Sequence, residues 1–325
     1  MTAKERILFL FETNRGVYLS GERIADELGI SRAAVWKAVK KLKEEGYSIH
    51  AIPNRGYCLS SETDILSSQG IQKYLKEEAQ RLEIHVSPVV DSTNSMVWKK
   101  ADEGAQDGYV LAANEQITGR GRTGRYFFSP KGTGVYLSIL LRPQGYGANQ
   151  ALQITTLAAV AVCEAIEEVS GKHPGIKWVN DIFLDGRKIC GILTEASFGM
   201  ESGLLDYAVL GVGINVYRPE MGFPEELRNT AGFLFEKSKK DLKNRLAASF
   251  LHHFMTAYAG NDKTEYIRKY REYSFLVEKE IDVLQGNEKR RAFVRDIDEE
   301  CRLVVEYGDG RVEALSYGEV SIVNQ

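Results

Sequence analysis

The stretch GRGRTGR, residues 119–125, sets three arginines and three glycines in seven positions. Guanidinium forks beside backbone N–H groups with no Cβ to shield them can enclose an anion closely. Taken alone, the stretch reads equally as a solvated, nucleic-acid-binding arginine loop. Four further stretches follow or precede it: DSTN (91–94), KWVND (177–181), GRKICGIL (186–193) and GVGIN (211–215). They offer hydroxyls and amides in Ser92, Thr93, Asn94 and, within EQIT, Gln116. They also offer cations in Lys177 and Lys188, a carboxylate in Asp181, and glycines at 191, 211 and 213. Singly, each has an ordinary structural reading. Asp-Ser-Thr-Asn is a helix cap, G-x-G is a tight turn at a strand end, and lysines populate surfaces. The order and spacing of the whole set is what is specific.

Those residues need a scaffold, and the composition sets its class. The chain has 325 residues, a formal net charge of −3, 43% hydrophobic and 27% charged residues, an ordinary balance for a globular protein of two or three domains. Residues 1–60 hold ten Lys/Arg against seven Asp/Glu, which leaves the remainder at −6. Any polyanion affinity must therefore be local, and the N-terminus is a separate unit. The four cysteines, Cys58, Cys163, Cys190 and Cys301, are far apart with no C-x-x-C. They are expected as free thiols in a reducing cytoplasm. No stretch approaches 18 apolar residues and the start lacks a cleavage site, so neither a membrane span nor a signal peptide is expected.

The pattern predicts helices over 3–13, over SGERIADELGI with Ser20 as N-cap and Gly29 as stop, and over SRAAVWKAVKKLKEEGY with Ser31 as N-cap. A hairpin follows around Pro53–Gly56. Between residues 31 and 43, Arg32, Lys37, Lys40, Lys41 and Lys43 supply five positive charges and no negative one. Three helices and a hairpin are the winged helix-turn-helix order, over residues 1–60. The DNA-facing residues are expected to be Ser31, Arg32, Lys37, Lys40 and Lys41, with Asn54 and Arg55 on the wing. A protein–protein module of the same fold is the alternative. SSETDILSS (60–68) reads as a polar linker.

Residues 66–274 mix strands (135–141, 207–216) with a long apolar helix over 149–171, which implies an α+β or α/β core. Residues 275–325 show short strands parted by Gly/Asp turns, Asp309–Gly310 among them, and suggest a small β-barrel. The fold class expected is α+β multidomain: winged helix-turn-helix, mixed α/β core and C-terminal SH3-like barrel.

In this order and spacing the chain resembles the biotin protein ligases, in particular the bifunctional kind that also represses the biotin operon. The resemblance spans essentially all 325 residues. GRGRTGR resembles the family's adenylate-binding loop and KWVND its K-W-P-N-D motif, while RKICGIL and GVGIN resemble two further segments. Two departures stand out: Val179 replaces the proline, and Phe127 stands where many relatives have a tryptophan on the adenine. The resemblance implies formation of biotinyl-5′-AMP from biotin and ATP with Mg²⁺, then transfer of biotin to a lysine of a biotin carboxyl carrier protein.

On that reading Arg122, Lys188 and Asp181 are catalytic, with Asp181 the metal ligand. Ser92, Thr93, Asn94, Gln116, Gly119, Arg120, Arg122, Lys188, Gly191, Gly211 and Gly213 hold biotin. Arg120, Arg122, Arg125, Phe127, Lys177, Asn180 and Asn215 hold the nucleotide. Trp178 and the GVGIN strand would line an apolar slot for the thiophane and valeryl chain. The partners implied are the carrier protein, operator DNA and a second copy in a homodimer favoured by biotinyl-AMP. A lipoate-type ligase would lack the winged helix and have no ureido group for Thr93 and Gln116 to meet. A non-enzymatic ligand-sensing transcription factor could dispense with Lys188 and Asp181.

Overall fold

The computed structural model describes residues 1–143, 147–199, 203–260, 263–285 and 288–322. The N-terminal unit holds α1 (Ala3–Thr13), α2 (Gly21–Leu28), α3 (Arg32–Glu44), β1 (Ile49–Ile52) and β2 (Gly56–Leu59). Each helix start is fixed by a hydroxyl: Thr2 in a capping box with Glu5, Ser20 accepting from Arg23 N, and Ser31 from Ala34 N. Gly29 stops α2 in the left-handed region, φ 62°. Ile7, Phe11, Ile24, Val35 and Leu42 are wholly buried and close a core of their own.

Residues 60–68 are not a free polar linker. Asn244 accepts from Ser67 N (3.0 Å) and donates to Ile65 O (2.8 Å). Asp64 accepts from Lys243 N (2.9 Å) and from the Tyr217 hydroxyl. Leu66 lies in the core. Most of the segment's polar groups are met by the central domain, as buried backbone requires; among its described buried side-chain atoms the Thr63 hydroxyl alone finds no partner. Beside it, α4 (Ser68–Gln72) faces α1. There Glu12 bonds Arg15 Nε (2.8 Å) and Lys73 Nζ (2.6 Å), and Asp241 takes Arg15 Nη2 (2.9 Å) and Lys73 Nζ (2.5 Å). These four side chains are only 0–11% exposed.

The central sheet has seven strands. They are β3 (Glu83–Ser87), β4 (Tyr109–Ala113), β5 (Gly134–Leu141), β6 (Gly175–Lys177), β7 (Asp181–Leu184), β8 (Arg187–Phe198) and β9 (Leu205–Asn215), in the order β3-β4-β5-β9-β8-β7-β6. Only β3 and β4 pair in parallel. The period of two along a strand sorts residues between faces. Val135, Leu137, Ile139, Leu210, Val212 and Ile214 face the core shared with α6 (Ala148–Ser170) and α7 (Leu242–Ala259). Tyr136, Ser138, Gly211, Gly213 and Asn215 fall on the opposite face, where α5 (Thr93–Asp102) packs through Val97 and Ala101.

After α8 (Lys263–Tyr273) come β10 (Glu280–Gln285), β11 (Glu288–Ile297), β12 (Leu303–Tyr307), β13 (Val312–Leu315) and β14 (Glu319–Ile322). They form an antiparallel sheet, β13-β12-β11-β10-β14. The expected SH3-like barrel is not found closed: β13 and β14 remain edges, with no ladder between them among the described residues. The sheet is nonetheless bent. Four chain steps join Leu315 to Glu319 and span at most about 14 Å, less than the roughly 19 Å across five flat strands. Among the described residues all four cysteines are free and buried, and no helix is long and apolar enough to cross a membrane.

Candidate active site

On the α5 face of the sheet, backbone register brings small residues together. Gly213 lies between Tyr136 and Gly191, and Gly211 between Ser138 and Leu193. Three glycines in adjacent rows leave a trough where side chains would otherwise stand. A Cβ on Gly211 would meet Asn94 Oδ1 at 2.0 Å, and one on Gly213 would meet the Phe127 ring at 2.5 Å.

At the end of the trough the Ser92 hydroxyl caps α5, so the cap reading of DSTN holds. Ser92, Thr93, Asn94 and Gln116 are all buried. Gln116 Oε1 accepts from Thr93 N (2.8 Å) and Thr93 Oγ1 (3.1 Å), while its Nε2 donates to Ser129 Oγ (2.9 Å). Ser138 Oγ lies 2.8 Å from Thr93 Oγ1 and 2.6 Å from Asn94 Oδ1. Its single proton serves the amide oxygen, the shorter contact, because that atom can only accept. The Asn94 amide then donates to Glu195 (3.0 Å) and Leu193 O (3.3 Å). Donors and acceptors thus converge in a buried corner, held by partners that fix their orientation.

Residues 119–125 form a small hairpin. Phe127 N donates to Gly119 O (2.9 Å) and Gly121 N to Arg125 O (2.7 Å), with the turn at Arg122–Gly124. Gly119 is required by closeness, because a Cβ there would lie 2.3 Å from Phe127 O. Each arginine is engaged. Arg120 forks onto Glu195 (2.8 and 3.2 Å), Arg122 donates to Asn180 Oδ1 (3.0 Å), and Arg125 pairs with Glu319 on β14. Lys188 Nζ stands 2.6 Å from Asp181 Oδ1, off the hydrogen-bonding direction, so that buried oxygen accepts no hydrogen bond. Burial holds the Lys177 ammonium below the usual lysine range, against the opposing pull of Asp181.

These groups surround one cavity of about 530 Å³. Ser92, Thr93, Asn94, Gln116, Arg120, Arg122, Arg125, Phe127, Lys177, Asn180, Asp181, Lys188, Gly191, Gly211, Gly213 and Asn215 all line it; Gly119 lies behind the wall. Three placements were not legible beforehand. Phe127 lies across the trough, edge-on to Tyr136. Asn215 donates to Gly232 O (3.1 Å). Trp178, also in the wall, anchors its indole N–H on Cys301 O (3.0 Å), tying the pocket to the C-terminal sheet. The Trp178–Val179 peptide is cis.

Sequence reasoning missed Ser138 and Glu195, which orient Asn94, and Glu319, which the C-terminal sheet contributes. It also missed an aromatic wall. Phe128 and Phe223 meet edge-on at 6.2 Å, and Phe223 stacks on Phe233 at 6.4 Å. A P-x-x-x-F-P spacing at 219–224 is the one local signal, and it names no chemistry.

On the N-terminal unit Ser31, Arg32, Lys37, Lys40, Lys41, Asn54 and Arg55 are all exposed. The Ser31 hydroxyl is taken by its cap and the Arg55 guanidinium lies 4.5 Å over the Tyr18 ring.

Three family models match along the chain: HTH domain (residues 4–58), Biotin/lipoate A/B protein ligase family (86–215) and Biotin protein ligase C terminal domain (277–323). Together they define a biotin/lipoate-type protein ligase preceded by a helix-turn-helix unit. The chain is 34% identical over 272 residues to the bifunctional ligase/repressor BirA of Bacillus subtilis (strain 168), covering 84% of this chain and 79% of that one. It is 27% identical over 311 residues to BirA of Escherichia coli (strain K12), covering 94% of each. In fold it matches a biotin protein ligase from Aquifex aeolicus in complex with biotin and ATP. The TM-score is 0.63 at 24% identity, over 75% of this chain and 99% of the other. The chain belongs to the bifunctional ligase/repressor family of biotin protein ligases.

Proposed function

We propose that the chain joins biotin to ATP as biotinyl-5′-AMP, transfers biotin to a lysine of the biotin carboxyl carrier protein, and represses biotin-synthesis genes when carrier runs out. The observation that carries this is the single cavity in which a buried hydroxyl–amide corner opens, along a glycine trough, onto a cluster of cations. The corner of Thr93, Asn94 and Gln116 suits a ureido group, which both donates and accepts. The trough beside Trp178 suits the thiophane and valeryl chain. The carboxylate then emerges among Lys188, Arg122 and Lys177.

In the first half-reaction a biotin carboxylate oxygen bonds the α-phosphorus of ATP and pyrophosphate leaves. Two anions must approach, so the work of the site is orientation and charge stabilisation. Lys188 is a compact cation for the carboxylate and α-phosphate. Arg122 lies across them from the loop, and the aromatic wall of Phe128 and Phe223 suits the adenine. Mg²⁺ would be held mainly by the phosphates, with Asp181 as its protein carboxylate. Its Oδ1 accepts no hydrogen bond and faces Lys188 Nζ at 2.6 Å, so it would reach the ion as Lys188 turns to the carboxylate and α-phosphate. The ion would neutralise phosphate charge. In the second half-reaction a neutral carrier lysine bonds the anhydride carbonyl carbon, loses a proton, and AMP departs.

The division of labour we propose is residues 1–60 for DNA, 66–274 for ligation, and 275–325 completing the nucleotide end through Glu319. We further propose that the chain acts in the cytoplasm and that adenylate-loaded chains pair as a homodimer. Fixing the 119–125 hairpin removes the entropy an interface would otherwise lose, and two winged helices then reach both halves of one operator. Incubation with radiolabelled ATP, biotin and a carrier domain should release pyrophosphate and label the carrier. Pyrophosphate released equally well with lipoate would favour the lipoate-type reading instead.

A further inference from the structure

The outer face of α3 carries more than charge. Val35, Ala38, Val39 and Leu42 are buried, which leaves Arg32, Ala33, Trp36, Lys37 and Lys40 on the solvent stripe. In the middle of it Trp36 is 58% exposed. The other two tryptophans are built into the protein, Trp178 in the main core and Trp98 against Tyr207. The one ring contact of Trp36 described here is Lys40 Nζ, 5.7 Å from its centroid.

A large flat apolar group flanked on its own helix by Arg32, Lys37 and Lys40 does not suit an apolar protein surface, which would strand the three cations. It suits a polyanion that carries an apolar feature where the helix lies. The major groove of duplex DNA is such a surface: phosphates at the walls and, on its floor, the C5-methyl of thymine. Indole N–H can only donate, and the groove edge of the same thymine offers O4 as acceptor.

We propose that Trp36 is a base-reading residue, its indole packed on a thymine methyl in each half-site while the neighbouring cations hold phosphate. This rests on the reading of α3 as the DNA-recognition helix. Trp36 is exposed, so its replacement leaves the core of the unit untouched, and ligation of the carrier reports that the rest of the protein is intact.

The test starts from duplexes selected from a random library by the full chain with biotin and ATP. Each thymine of the selected site is then replaced singly by deoxyuridine, which lacks only the methyl group. One position per half-site should lose about five- to tenfold in affinity with the natural chain and nothing with Trp36→Ala. Trp36→Ala should itself lose about tenfold on the selected site while binding to random duplex and the salt slope stay the same. Trp36→Phe, which keeps an apolar ring, should retain most of the thymine preference. The proposal falls if Trp36→Ala selects the same site with the same affinity, or if the deoxyuridine loss persists in that variant. Failure of the natural chain to select any sequence would instead remove the DNA-binding reading, and this proposal with it.

Discussion

The cations of the pocket and those of α3 are deployed in opposite ways. In the pocket, Arg120, Arg122, Arg125 and Lys188 each already face an oxygen of the protein: Glu195, Asn180, Glu319 and Asp181. On α3, Arg32, Lys37 and Lys41 make no ion pair with any described residue, and Lys40 approaches Glu44 only at 4.0 Å. An anion entering the pocket therefore exchanges partners within a pre-arranged cluster. DNA meeting α3 displaces small ions from solvated charges. Geometry limits the first and mass action of salt the second.

Salt separates the two most sharply. Between 50 and 200 mM salt, operator binding by a pair of winged helices should weaken about a thousandfold, as for some six or more phosphate contacts. Biotin-dependent pyrophosphate release should change less than about threefold over the same range. Parallel gel-shift and pyrophosphate titrations would show it, and equal sensitivity would erase the distinction.

Next in size is Lys188→Ala. It removes a positioned cation from the α-phosphate and should slow pyrophosphate release about a hundredfold or more. Transfer from supplied biotinyl-AMP should survive better; equal losses in both assays would move Lys188 out of adenylation. Gly211→Ala probes the trough. The new methyl must displace Asn94, 2.0 Å away, so the KM for biotin should rise about tenfold while that for ATP holds. The smallest change is Lys37→Ala. It should lower the slope of log affinity against log salt by about one per winged helix and leave carrier labelling unaltered.

What was legible in the sequence was what lies close together along the chain. The helix-turn-helix unit follows from caps and apolar spacing within 60 residues, and its cations from one helix. In the pocket, the five motifs could be nominated because each brings its chemistry on a single strand end or turn. What tertiary pairing contributes was hidden. Glu195, on β8, meets Arg120 across 75 positions of sequence, and Glu319 arrives from the far end of the chain. The segment 60–68 reads as polar because Asp64 and Ser67 are polar. Their burial depends on Tyr217, Lys243 and Asn244, some 150 residues or more away. The barrel expectation placed short strands in this segment, but closure was beyond it: whether the outer two strands meet is set by tertiary pairing, and no ladder joins β13 to β14 among the described residues.

The four charges at the domain junction bear on how this family can be recombined. Glu12 and Arg15 travel with the DNA-binding unit; Lys73 and Asp241 stay with the ligase. Deleting the unit leaves Lys73 and Asp241 paired with each other and opens them to water. Grafting a foreign DNA-binding unit that supplies only one of the first two charges keeps Lys73 and Asp241 covered and leaves the cluster's charge unbalanced. An uncompensated buried charge costs about 3–5 kcal/mol, so such a half-matched cassette should be worse tolerated than none. Exchangeable parts would have to be cut so that all four residues move together.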